Sequence, residues 1–137
     1  MENKIKHLEF IQGTITRMNQ NSFQIKGWMI TIVSALLALY ASGGNTIYII
    51  IAVVPAIVFW FLDAYYLQQE RKFRGVYNDV AGLSSEDNRL EIRDFEMPIQ
   101  KYQCGKYCYF NALLSKTIFP LYGIVAAGLA IAYILLN

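Results

Sequence analysis

Two oppositely charged residues border the longest charge-free stretch of the sequence and are the first candidates for chemistry. The stretch runs from Gly27 to Leu62, with Lys26 before it and Asp63 after it. An ionisable side chain at membrane depth is costly and is a candidate proton or cation site. We favour a structural Lys26–Asp63 ion pair, because transporters bind their substrates near the membrane midplane and not at the end of a span.

The remaining reactive side chains offer little chemistry. Cys104 and Cys108 are the only thiols, and His7 is the only imidazole. Structural zinc has four ligands, and a reducing cytoplasm disfavours a disulfide. We expect free thiols, with lipidation left open, and a surface histidine. The sequence shows no Ser-His-Asp set, phosphate-binding glycine loop or paired intramembrane carboxylates, so we predict no enzyme and no catalytic, metal or cofactor-binding residue.

The elements that position these residues follow from charge segregation. The 137-residue chain allows one domain, and its two charge-free stretches are Gly27–Leu62 and Thr117–Asn137. A soluble helix needs a polar face, which neither stretch has. A bilayer core of about 30 Å takes about 20 helical residues, so the second stretch is one span long. The first stretch would measure about 54 Å as one helix and must therefore fold back.

A turn in the middle of the first stretch divides it into two spans. Gly43-Gly44-Asn45 accepts the positive φ values of a tight turn. We predict spans over residues 23–42, 46–66 and 117–136. A pivot near Gly44 places Lys26 beside Asp63, and it also brings Trp28 level with Trp60, as expected for tryptophans at an interface.

The outer segments are predicted to be partly helical. Apolar residues recur at helical spacing over residues 1–20, which predicts an amphipathic helix. The capping types Asn19, Asn21 and Ser22 favour a break between this helix and span 1. Span 2 continues as helix to about residue 81, and residues 82–115 form a loop. The first helix either packs against the continuation of span 2, which we favour, or lies on the membrane surface.

Orientation follows from the twelve basic residues. Four precede the charge-free stretch that begins at Gly27 and eight lie between spans 2 and 3, so none is left for the turn or the C-terminal end. The positive-inside rule then predicts that this multi-pass protein has its N-terminus in the cytoplasm and its C-terminus outside. The localisation we expect is the bacterial inner membrane, where the outer side is periplasmic. The net charge of +2 does not favour nucleic acid as a partner.

Small residues recur on one face of span 1 and of span 3. Such faces let helices approach closely in lipid, and two faces on three spans favour a homo-oligomer. The prediction rests on Gly27, Thr31, Ser34, Ala35, Ala38 and Ser42, and on Gly123, Ala126, Ala127 and Ala130. Pro55 lies in the middle of span 2 and predicts a kink, with gating as the functional alternative to a structural role.

Several segments resemble a group of small bacterial multi-span inner-membrane proteins of unassigned function. They are Lys6–Gln12, Asn21-Ser22-Phe23, Lys26-Gly27-Trp28, Leu62–Leu67 and Gln69-Glu70-Arg71, with a weaker similarity at Ser115-Lys116-Thr117 and Pro120. The resemblance covers most of the chain through Arg71 and implies no site residue. By analogy of architecture, such proteins are compared with membrane effectors of anti-phage defence.

Together these patterns predict an all-α integral membrane protein. It has three transmembrane helices: a helical hairpin extended into the cytoplasm, and a third span. The leading functional hypothesis is an oligomeric effector that forms a pore or perturbs the membrane when a cytoplasmic protein or signal triggers it, with phage defence as the setting that the analogy suggests. The alternatives are a non-conducting membrane adaptor for a cytoplasmic partner, and a small proton or cation transporter centred on Asp63.

Overall fold

Two long helices pair along most of their length. The structure, a computed structural model, describes residues 1–136. Helix α1 spans Glu2–Gly43 and helix α2 spans Ile47–Ala81. Among the described residues there is no strand, and both helices are long and apolar enough to cross a membrane. The all-α prediction is confirmed.

The chain reverses between α1 and α2 within three residues. Gly44 has φ 66° and caps α1, and its N–H donates to the carbonyl of Tyr40 (2.7 Å). The Asn45 side chain accepts a hydrogen bond from the N–H of Ile47 (3.0 Å), at the start of α2. A positive φ is inexpensive only for glycine, so the Gly-Gly-Asn sequence fixes where the hairpin turns.

Helix α1 is continuous where the sequence predicted a break. The predicted break in the helix between residues 20 and 23 is therefore wrong, and the start of the span at residue 23 stays a prediction. Ser22 caps no helix, because its hydroxyl bonds instead to the carboxylate of Asp63 on α2. Buried residues recur on α1 from His7 to Val33, so packing against α2 favours one uninterrupted helix over the local capping preference.

The hairpin has an apolar half and a polar half, each with its own core. The apolar half comprises residues 23–66 and 117–135, and its core includes Met29, Val33, Ile49, Ala52 and Ala56. We call residues 2–20 and 68–116 the polar lobe, and its core is Ile11, Ile15, Val76 and Tyr102. The N-terminal part of α1 thus packs against α2 as the sequence analysis favoured.

The segment after α2 returns along the side of that helix. It contains three 3₁₀ turns, at Glu86–Asn88, Ile99–Lys101 and Gly105–Tyr107, and a short helix α3 at Tyr109–Leu113. Helix α4 spans Phe119–Leu136 and packs chiefly against α2. The region predicted as a loop at 82–115 is therefore ordered against α2, and α4 begins two residues later than predicted.

Candidate functional site

A buried carboxylate links the two long helices at the border between the apolar half and the polar lobe. Asp63 is 0% exposed, and the Lys26 ammonium lies 2.6 Å from its Oδ2 atom, with the lysine side chain 20% exposed. Lys26 also donates to Ser22 Oγ (2.7 Å), and Ser22 in turn donates to Asp63 Oδ1. The structure therefore brings Lys26 and Asp63 together, with Ser22 as a bridge between them.

The geometry of α1 explains this convergence. Ser22 and Lys26 are four residues apart on one helix and so share a face. That face continues through Ile25 and Met29, which are buried. Asp63 is buried on α2 in the stretch that lies opposite. The hairpin pivot predicts the Lys26–Asp63 pair, whereas the sequence analysis interprets Ser22 as a helix cap. The position of Ser22 one turn before Lys26 is the sequence feature that could have indicated its contact with Asp63.

A third helix contributes a polar group to the same place. The Tyr122 hydroxyl on α4 faces Asp63, and the tyrosine is only 2% exposed. This hydroxyl and Asp63 Oδ2 are the two buried side-chain atoms that lack a well-directed hydrogen bond among the described residues. The Lys26 ammonium has three N–H donors, so it serves Ser22 with one of them and also lies 2.6 Å from Oδ2 as the cation of the ion pair. We call Ser22, Lys26, Asp63 and Tyr122 the buried polar cluster.

In the buried polar cluster, the charge of the Asp63 carboxylate is compensated by its neighbours. One cation and one anion cancel, and a serine hydroxyl satisfies the second carboxylate oxygen. Burying a single carboxylate without a partner would cost several kcal/mol, whereas a hydrogen-bonded pair recovers much of that cost. Both carboxylate oxygens therefore have a partner, Lys26 at Oδ2 and Ser22 at Oδ1, and the Tyr122 phenol is the remaining polar group of the cluster.

Hydrogen bonds attach the segment at residues 98–116, which we call the tether, to α2. Trp60 donates to the carbonyl of Leu113 (3.1 Å), and the Tyr109 hydroxyl donates to that of Phe61 (2.9 Å). Further along, Gln68 donates to the carbonyl of Tyr107 (3.0 Å). The tether thus follows α2 outward from the apolar half into the polar lobe.

Tyr102 fixes the far end of the tether. Its hydroxyl donates to Asp79 Oδ2 (2.5 Å), and both residues are buried. Burial, and then the hydrogen bond to the Asp79 carboxylate, raise the pKa of the Tyr102 hydroxyl above its usual range. Burial also raises the pKa of Tyr109. The sequence analysis did not single out Asp79 or Tyr102, because their sequence positions alone do not indicate that the tether returns to α2.

Gly75 permits the closest approach of the tether to α2. A Cβ atom at this position would lie 2.7 Å from the Tyr107 hydroxyl and 2.8 Å from the Tyr102 ring. Both distances are well below van der Waals contact. Any side chain at position 75 would therefore displace the tether.

Most small residues of the two predicted packing faces are exposed. On α1, Gly27, Thr31, Ala35 and Ala38 are exposed, while Met29 and Val33 contact the core. On α4, Ala127 and Ala130 are exposed and Gly123 is half-buried. Helix α2 continues through Pro55, which is half-buried. Neither small-residue face is used by packing within the described chain.

The expectation for His7 is wrong, since it is buried and not at the surface. It is 1% exposed, and its Nε2 atom lies 3.0 Å from the carbonyl of Glu96. Because a carbonyl only accepts, Nε2 donates this bond. Phe95 covers the ring at a centroid distance of 5.8 Å. The segment around Glu96 folds over α1, an arrangement that local sequence did not indicate.

The cysteines and the remaining charges form no metal centre in the described part of the chain. Cys104 is exposed, Cys108 is half-buried, and both thiols are free. Among the described residues no three His, Cys, Asp or Glu side chains are grouped to hold a metal ion.

Comparison with known protein families, curated proteins and solved structures gives no match to this chain. The resemblance to small bacterial inner-membrane proteins, and the link to phage defence, therefore stay predictions from the sequence. Arguments about function rest on the geometry described above.

Proposed function

We propose that this chain is a three-span membrane protein whose copies associate side by side and perturb the membrane or form a pore. The polar lobe lies in the cytoplasm and receives the trigger, either a protein or another signal. The observation that supports the proposal is the exposure of both small-residue faces. In lipid, such faces serve close helix packing, and here the protomer leaves them unused.

Helix α4 supports a third span by its length and composition. Its 18 residues measure about 27 Å, close to a bilayer core of about 30 Å. The charge-free sequence from Thr117 onward includes the whole helix. Eleven of the twelve basic residues lie outside the proposed spans, and Lys26 lies in the first turn of span 1, at the end that would be cytoplasmic.

The two exposed faces differ, which favours a head-to-tail contact. The small face of α1 lies opposite the side that packs against α2. Between α2 and α4 there is an open apolar groove of about 760 Å³, in which Ala56, Ala126 and Ala130 leave room for another helix. A contact between two unlike surfaces repeats around a ring when the rotation closes. Helix α1 of one copy would occupy the groove of the next.

Dye release from liposomes tests this proposal. Purified protein should release dye and should crosslink as an oligomer. The double variant Ala35→Leu/Ala38→Leu, which enlarges the small face, should lose both properties. The matched control Ile32→Leu/Leu39→Ile changes exposed residues of the same helix without changing their volume and should keep both. Protein that oligomerises without release would favour the non-conducting adaptor, and failure of both would contradict the proposal.

A proton or cation transporter centred on Asp63 is the second candidate. One observation favours it: a fully buried carboxylate, Asp63, lies beside the buried Tyr122 hydroxyl at the end of the charge-free stretch. Proton-coupled flux that Asp63→Asn abolishes, with Tyr122→Phe reducing it, would support this candidate. Unchanged flux in Asp63→Asn would exclude it.

A further inference from the structure

Charges within the polar lobe are sorted by position. Acidic residues end at Glu96, and the sequence from Met97 to Asn137 contains none. Five acidic residues fall within Glu86–Glu96, in the segment between α2 and the tether. The tether itself contains Lys101, Lys106 and Lys116 and no acid. Positive charge therefore dominates along the tether, which leads from the apolar half.

A basic groove lies between α2 and the tether. It has a volume of about 510 Å³ and is lined by Arg71, Arg74, Asn78, Gly105, Lys106 and Asn111. Three of these residues are cations and two are amides, and no carboxylate is among them. Amide and guanidinium N–H groups are the donors that bind phosphate oxygens, with Lys as a point charge.

Arg71 is positioned by neutral partners. Its guanidinium donates to the carbonyl of Lys106 and to Ser115 Oγ, both at 3.1 Å. These bonds fix the side chain but do not neutralise it. Arg74 alone among the three cations contacts a carboxylate, through Nε to Glu70 (2.6 Å). The groove therefore keeps a net positive charge on an ordered frame.

The membrane-proximal end of the groove adjoins exposed apolar side chains. Asn111 lies on α3, the helix that Tyr109 and Leu113 attach to Phe61 and Trp60 at the end of the charge-free stretch. On the same short helix and just after it, Phe110 is 71% exposed and Leu114 is 62% exposed. A free anion would not pack against these apolar groups, whereas an acyl chain would.

We propose that this groove binds the phosphate headgroup of an anionic phospholipid from the cytoplasmic leaflet, with Phe110 and Leu114 against its chains. The inference rests on the membrane insertion assumed in the proposed function. Arg71 lies about 12 Å along α2 beyond Asp63, and helical side chains lean toward the N-terminus of their helix, which here is the membrane side. Basic pockets beside cytoplasmic ends of spans are established headgroup sites in membrane proteins.

Native mass spectrometry of protein in neutral detergent tests the inference. Phosphatidylglycerol is titrated as the probe, with phosphatidylcholine and inorganic phosphate as separate arms. Wild type should bind phosphatidylglycerol preferentially. Lys106→Gln should weaken this binding about five-fold, and Arg74→Gln/Lys106→Gln about 25-fold. The control Lys4→Gln/Arg93→Gln removes the same two charge types from a different cleft of the polar lobe and should bind as wild type does.

Two results of the binding experiment would overturn the inference. Equal losses in the two double variants would mean that net charge, and not the groove, determines binding, and would overturn the inference. Equal binding of inorganic phosphate would assign the groove to free anions and also overturn it. Lys106→Gln changes an exposed side chain, so its effect can be read even if Arg74→Gln impairs folding. Carbonate extraction of membranes is measured in parallel: extracted protein contradicts the proposed function, whereas inserted protein without lipid preference contradicts only this inference.

Discussion

Asp63 shows how a residue's surroundings decide its role. A carboxylate that is 0% exposed among three apolar helices needs compensation, and Lys26 and Ser22 provide it. The two partners differ in their environment, because Lys26 retains some exposure while Asp63 has none. Removing the Lys26 charge and removing the Asp63 charge should therefore lower the free energy of unfolding by different amounts.

We expect Lys26→Met to destabilise the protein more than Asp63→Asn. The lysine variant leaves a buried charge without its cation, at a cost of about 3–5 kcal/mol. In the asparagine variant the lysine can extend toward the surface. The double variant should be less damaged than the sum of the singles, by about 1–3 kcal/mol. Thermal unfolding in detergent measures the cycle, and strict additivity would mean that the two residues do not interact.

Tyr102 predicts a pH dependence in the alkaline range. Its pKa is raised in the folded state, so folding retains the phenolic proton above pH 10, where the unfolded chain loses it. The stability that this adds is fully present below about pH 10 and is lost as the pH rises toward the folded-state pKa. Tyr102→Phe should cost about 1–3 kcal/mol at pH 8, because the buried Asp79 carboxylate loses its side-chain donor and keeps only the longer bond from the Leu90 N–H (3.4 Å).

The measurement is the melting temperature at pH 8 and at pH 10.5. Wild type should lose more stability between these values than Tyr102→Phe does. Tyr65→Phe is the control, since Tyr65 is exposed and has no hydrogen bond of its hydroxyl among the described residues. If Tyr102→Phe and wild type responded equally, the Tyr102–Asp79 bond would not contribute as described.

At the residue scale, the sequence predicts those contacts that follow from the position of the hairpin turn. Numbering about Gly44 places Lys26 beside Asp63, and the structure has these residues in contact. Tyr122 and His7 could not be placed in this way. Tyr122 is buried where α4 packs beside Asp63, and His7 is buried where the segment at Glu96 packs on α1. Both contacts join segments that are distant in sequence. No local periodicity indicates where such a segment returns.

At the scale of elements, the same limit explains the error in α1. Asn19, Asn21 and Ser22 are capping types, and an isolated helix would be free to end there. Helix α2 runs alongside, and a continuous buried face over both halves stabilises the uninterrupted helix. The α2 prediction to about residue 81 depended on periodicity and a glycine stop, and the helix ends at Ala81 with Gly82 as its cap.

Two glycine-to-alanine substitutions test how the tether packs on α2. Gly75→Ala should lower the free energy of unfolding by about 1–3 kcal/mol, because the new Cβ would overlap the Tyr102 and Tyr107 side chains. Gly13→Ala is the matched control in the same lobe. Nothing lies within 4 Å of its Cβ position, so the gain in helix propensity should stabilise the protein by about 0.5–1 kcal/mol. Opposite signs are expected in chemical denaturation, and a neutral Gly75→Ala would contradict the close packing.

For the molecule as a whole, apolar surface and charge are separated along one axis. The apolar half contains the proposed spans and the exposed small-residue faces, and the polar lobe contains nearly all the ionised groups. A soluble protein would conceal the apolar half, but many large apolar side chains on α1, α2 and α4 are exposed. Contiguous exposed apolar surface of this kind is typical of a lipid or protein interface.

Reporter fusions in a bacterial host test the three-span arrangement most directly, since every functional proposal depends on it. A reporter active only in the cytoplasm and one active only in the periplasm are fused at Ser85, in the polar lobe, and after the C-terminal residue. Twelve basic residues on one side predict a cytoplasmic signal at Ser85 and a periplasmic signal at the C-terminus. A cytoplasmic signal at both positions would mean that α4 does not span the membrane and would contradict the account.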